Sequence, residues 1–175
     1  MRIKIIPLLV SAVFCSAPIS ATAQAVAGPG LGLQLGYHAD YRRASIVYET
    51  PSLWQHQFNN EWGKIDLHVA FGLSYWHSKR YDASSMGQFG AIPMVRWWPN
   101  ERFFLEVGSG PTVFSRSKFA GHRLSTHFQF GSRIGVGIAT KHGQVGIRYA
   151  HFSNANIRKP NPGLDLLEVM AIYRF

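Results

Sequence analysis

From residue 31 onward apolar residues return at every second position, segment after segment. Leu31, Leu33, Leu35 and Tyr37 share one face, against Gly32, Gln34, Gly36 and His38. Ile65, Leu67, Val69, Phe71, Leu73 and Tyr75 repeat the pattern against Lys64, Asp66, His68, Ala70, Gly72 and Ser74. Val145, Ile147 and Tyr149 oppose Gln144, Gly146 and Arg148, and the chain closes on Asp165, Leu167, Val169, Ala171, Tyr173 and Phe175. A period of two belongs to strands with two unlike faces, and no helical period competes over a comparable stretch. The pattern predicts eight strands, near 30–39, 43–57, 63–76, 87–98, 102–113, 123–139, 143–153 and 164–175. Pro93 and Pro111 fall inside two of them, which predicts bulges or rim positions there.

The length, 175 residues, is that of one domain. Aromatic residues make up 14% of the chain and charged ones 15%, despite a formal net charge of +9. A disordered basic tail would be poor in aromatics, and a helical bundle would not carry this share of glycine. The single Cys excludes an intrachain disulfide framework and a cysteine zinc site. No apolar run in the body of the chain reaches the roughly 18 residues of a transmembrane helix. The first residues have another character. Two positive charges in Met1 to Lys4, an apolar stretch from Ile5 to Cys15 and the small residues Ala21-Thr22-Ala23-Gln24-Ala25 follow the order of a secretory signal peptide. Residues 1–25 are therefore expected to be removed, with cleavage after Ala23 or Ala25, leaving 26–175 as an exported domain without cysteine.

The second face of the strands is rich in Gly, His, Gln, Lys and Arg. That is too polar for the dry core of a soluble barrel. Turning the apolar face to lipid and the polar face inward removes the conflict, and eight strands enclose a space that side chains can just fill. The expected fold is all-β, an eight-stranded antiparallel transmembrane β-barrel. The terminal Ile172-Tyr173-Arg174-Phe175 resembles the C-terminal signature of bacterial outer-membrane barrels. With both termini periplasmic, the turns at Asn59-Asn60-Glu61, Pro99-Asn100-Glu101 and Lys141-His142-Gly143 are periplasmic. Phe58, Trp62, Trp97, Trp98, Phe103 and Phe104 then form an interfacial girdle. The opposite rim gathers Arg42, Arg43, Lys79, Arg80, Arg116, Lys118, Arg123, Arg158 and Lys159, a field suited to phosphate-bearing glycolipid.

His151 and Ser153 lie two residues apart on the face of Val145, Ile147 and Tyr149, which points at lipid. A polar pair there belongs at the headgroup level. Histidine can serve as a base near neutral pH and serine as the nucleophile it deprotonates. A third group should hold the imidazole, and the last strand offers Asp165 and Glu168. Parity from Phe175 puts Asp165 on the outer face and Glu168 inside, where it can pair with an arginine. The run from His151 through Ser153-Asn154-Ala155-Asn156 and Arg158-Lys159-Pro160-Asn161-Pro162 to Asp165 resembles the lipid A 3-O-deacylase family.

That resemblance implies an outer-membrane barrel esterase that hydrolyses the 3-O-acyl ester of lipid A in lipopolysaccharide and releases a 3-hydroxy fatty acid. It makes Ser153 the nucleophile, His151 the base and Asp165 the acid, with the amide of Asn154 and the backbone N–H of Asn156 in the oxyanion hole. Two positions depart from the family pattern: Asp165 stands where Glu is usual, and Asn156 where a left-handed glycine is expected. Arg158 and Lys159 are expected to contact substrate phosphates. The site would face the outer leaflet. No cofactor and no metal are expected, since no histidine has ligand spacing, and no nucleic acid, since the basic charge sits on an exported barrel. His38, His68 and His127 are expected inside the barrel and the other histidines at its rims. Monomer and homodimer both stay open. So do two other readings, a non-enzymatic structural or adhesive barrel and a soluble lipocalin-like carrier.

Overall fold

The computed structural model describes residues 28–59, 62–79 and 85–175. The expected signal segment, 1–25, lies outside the described residues, as do Asn60, Glu61 and Arg80. The strands are β1 Gly30–Tyr37, β2 Tyr41–Glu49, β3 Trp54–Gln57, β4 Lys64–Ser78, β5 Ser85–Trp98, β6 Phe103–Phe114, β7 Lys118–Phe119, β8 His122–Arg123, β9 Phe128–Thr140, β10 Gly143–Ser153 and β11 Leu164–Arg174. All pairings are antiparallel. The first strand meets the last, from Gly30 opposite Arg174 to Tyr37 opposite Leu167, and this closes the sheet into a cylinder.

Eight walls result, because β2 and β3 occupy successive stretches of the same edge of β4. The single strand expected over 43–57 is thus interrupted. Pro51 has no N–H to donate, and Thr50 and Leu53 carry the chain past it by bonding to the carbonyls of Val69 and Leu67. The strand expected from 123 begins instead at Phe128, and the preceding residues form the small β7–β8 hairpin. Pro93 and Pro111 make no bulge. The β5–β6 pairing keeps one register from Gly90 opposite Thr112 to Met94 opposite Gly108, with the ladder open between. Both prolines belong to that one gap, so a single seam loses the backbone bonds.

Alternation decides what lies inside. Leu31, Leu33, Leu35, Leu73, Val107, Ile134 and Val169 face outward, while Gln34, Arg43, His68, Arg96, Glu106, Arg148 and Glu168 are buried. At mid-height Arg96 and Arg148 both pair with Glu49 and Glu106, while Arg43 pairs with Glu168. Arg43 therefore leaves the basic rim where its position near a loop had placed it. Above the charges sits an aromatic plug of Tyr41, Trp76, Phe114, Phe119 and Phe152, with Trp76 and Phe152 at 5.4 Å edge to face. The β7–β8 hairpin supplies Phe119 to it. At the other end Trp98 and Phe104 turn inward and pack with tilted rings, centroids 4.9 Å apart. They do not belong to the outer girdle, because each is one residue out of phase with outward-facing Trp97 or Phe103.

Candidate active site

Strand β10 carries Val145, Ile147 and Tyr149 on its lipid face, and the same parity brings out His151 and Ser153 at its far end. Across the ladder Asp165 stands directly opposite His151. Nδ1 of His151 lies 2.8 Å from Oδ1 of Asp165. A carboxylate only accepts, so Nδ1 holds the hydrogen and Nε2 keeps a free lone pair. Tyr149 donates its hydroxyl to the same carboxylate oxygen at 2.6 Å.

The backbone of Asp165 is held from the other side. Strand β1 ends at Tyr37, opposite Leu167, which leaves the main chain of Asp165 without a strand partner there. The Tyr41 hydroxyl fills the place, accepting the Asp165 N–H at 3.0 Å and donating to its carbonyl at 3.2 Å. Those backbone groups thus point away from β10. His151 and Asp165 form a non-hydrogen-bonded pair, the closer of the two kinds in an antiparallel ladder. Closeness of the strands makes up for the methylene that aspartate lacks relative to glutamate.

Ser153 ends the strand two residues beyond His151, half-exposed on the same wall. Among the described residues its hydroxyl has no hydrogen-bond partner, so geometry joins His151 to Asp165 and places Ser153 beside them without a direct link. The connection 154–163 folds back over this end. Asn154 is buried, and its side-chain amide donates to the carbonyls of Leu124 at 2.9 Å and Arg158 at 2.8 Å. Its backbone N–H goes to Oδ1 of Asn161 at 3.1 Å. That corrects the expectation of an Asn154 amide aimed at an oxyanion: its donors hold the loop together. Asn161, part of the sequence motif but given no role by it, is set next to the Ser153–Asn154 peptide with its amide nitrogen engaged only at 3.5 Å by Asn156. Asn156 adopts φ 62°, the left-handed geometry expected at its position, and Ala155 before it adopts φ 52°. Gly163, also left-handed, lies against the imidazole; a Cβ there would stand 2.6 Å from His151 Cε1.

Arg158 and Lys159 are exposed on the loop. Arg42, Lys79, Arg116, Lys118 and Arg123 are exposed at the same end. His68 is buried beside Asp66, His38 is half-buried, and His127 sits exposed at the rim rather than inside. Beside His151 the outer wall is hollowed into a groove of about 520 Å³ that includes Val95, Val107, Ile134 and Tyr149. A second groove of about 600 Å³ extends it past Leu105, Val136 and Ile147.

Fold and site together define a membrane-spanning β-barrel whose lipid-facing wall carries a serine beside a carboxylate-held histidine. The profile of the family described as lipid A 3-O-deacylase (PagL) matches residues 40–174. The lipid A deacylase PagL of Bordetella bronchiseptica is 46% identical over 158 residues, covering 89% of this chain and 88% of that protein. The lipid A deacylase PagL of Pseudomonas aeruginosa is 28% identical, with 93% of each chain covered. The crystal structure of the outer membrane enzyme PagL shares the fold at a TM-score of 0.68 and 19% identity, over 83% of this chain and 99% of that one. The chain belongs to the lipid A 3-O-deacylase family.

Proposed function

We propose that this protein is a serine esterase that removes the 3-O-acyl chain from lipid A in the outer leaflet of the outer membrane. The observation that carries the reading is the His151–Asp165 hydrogen bond, formed on the lipid-facing wall within two residues of Ser153. Ser153 attacks the acyl carbonyl, and Nε2 of His151 takes its proton and returns it to the leaving sugar oxygen. Asp165 keeps the imidazole in the one tautomer that can accept. Donors for the oxyanion come from the turn that follows the nucleophile, the backbone N–H of Asn156 and the Asn161 amide. Water then hydrolyses the acyl-enzyme and releases the fatty acid.

A site outside the barrel suits this substrate. Acyl chains already lie against the wall, and the grooves beside His151 accept one without drawing it out of the membrane. The exposed basic rim, with Arg158 and Lys159, attracts the phosphates above. The test is mass spectrometry of lipopolysaccharide before and after incubation with the detergent-folded protein. Loss of one ester-linked acyl group is expected. An unchanged spectrum from a folded barrel would overturn the reading.

A further inference from the structure

The outward positions of β6 and β9 are apolar almost throughout. Phe103, Leu105, Val107 and Val113 cover one strand, and Phe128, Phe130, Ile134 and Val136 the other. Ser109 and Ser132 break the pattern. They stand opposite each other, and Ser132 stands opposite His151, which stands opposite Asp165. Four strands thus present one polar row, Asp165–His151–Ser132–Ser109, across a wall that is otherwise hydrocarbon-like. The catalytic reading uses only half of it.

The two serine hydroxyls lie 3.0 Å apart and bond to each other. Each brings one hydrogen, and their mutual bond engages only one. Among the described residues neither has another partner, so one O–H remains to be donated. Lipid tails offer no acceptor for it, and alanine or valine would complete the wall without that cost. Both serines line the groove that holds His151. Cross-strand neighbours keep their Cβ atoms about 5 Å apart, so Ser132 is within reach of a chain whose carbonyl is under attack beside His151.

We infer that Ser132 and Ser109 form a polar subsite that selects an acyl chain carrying a hydroxyl close to its carbonyl. This rests on the deacylase reading above. A saturated chain has no other polar group to bring into that groove, and a hydroxyl on its third carbon lies two carbons from the reacting centre. The serine pair donates its spare hydrogen to that oxygen and accepts its proton in return.

The experiment compares two synthetic lipid A analogues whose 3-O-acyl chains have equal length, one hydroxylated at the third carbon and one not. The detergent-folded protein is expected to prefer the hydroxylated ester by about tenfold in kcat/KM, the size of one or two net hydrogen bonds. Ser132→Ala should remove most of that preference, lowering kcat/KM for the hydroxylated ester far more than for the plain one. Ser109→Ala should do so in part, and Ser132→Thr, which keeps the hydroxyl on a strand-compatible side chain, should retain it. Equal losses on both esters, or a preference untouched by Ser132→Ala and Ser109→Ala, would overturn the subsite while leaving the esterase intact. A folded wild-type barrel inactive on both esters would overturn the esterase reading, and the subsite with it.

Discussion

Asp165 occupies a place in the β10–β11 ladder where the backbones do not bond, and its own N–H and carbonyl are clamped by Tyr41. Its carboxylate is therefore fixed at both ends, by the main chain beneath and by His151 and Tyr149 above. Asp165→Ala is expected to lower turnover by several orders of magnitude, on the scale of losing a triad acid, about 10⁴-fold. Asp165→Glu should remain active, since Tyr41 holds the backbone whichever acid is present. Glu168→Ala, three residues on and inside the barrel, should leave turnover nearly intact. It should cost about 3 kcal/mol of stability by stranding Arg43. Steady-state deacylation with thermal unfolding on the same preparations separates the two carboxylates. Activity lost in Glu168→Ala and kept in Asp165→Ala would contradict this assignment. Ser153→Ala and His151→Ala should each abolish deacylation while heat-modifiable migration on gels persists; loss of the folded band would assign them to structure.

The connection from β10 to β11 is where element geometry meets chemistry. Gly163 can hold its left-handed backbone without strain, and its missing Cβ leaves room for His151. Gly163→Ala should displace the imidazole and reduce kcat by roughly 100-fold with little change in KM, because a shift of about 1 Å is enough to spoil proton transfer. Reversing Arg158 and Lys159 to Glu should act differently, weakening glycolipid turnover more than that of a short soluble ester. Parity alone makes the lipid face, the positions of His151 and Ser153, and the opposite facings of Asp165 and Glu168 legible in the sequence. It fails where loop proximity replaces it. Neighbourhood in the chain puts Arg43, Trp98 and Phe104 at rims, yet each follows its strand's alternation into the interior. For Asn154 the family resemblance implies an oxyanion donor, and only the folded loop shows that its donors are engaged. Tyr41 could not be anticipated, since 124 residues separate it from Asp165 and nothing local links them.

For the whole molecule, stability and activity are carried by opposite faces of the same strands. The wall outside holds the site; the interior holds a charge lattice in which Glu106 bridges Arg96 and Arg148, and Glu49 contacts both. Burying such ions is costly, and the lattice is stable only while each has a partner. Glu106→Gln keeps the shape and removes one charge, leaving Arg96, Arg148 and Arg174 to share Glu49. A loss of about 3–5 kcal/mol is expected in the unfolding of the detergent-folded barrel. Adding Arg148→Met restores the charge balance, since Arg96 keeps Glu49 and Glu49 keeps Arg96 and Arg174. The double variant should therefore recover much of that loss, a coupling of the kind seen between groups in one network. Turnover of both variants, measured well below their unfolding temperatures, should stay near wild type, because Arg148 and Glu106 face inward while His151 and Ser153 face lipid. Additive destabilisation in the double variant would show that the lattice acts as separate pairs. Activity lost in step with stability, in barrels still folded, would show that the interior charges hold the outer wall in its working shape.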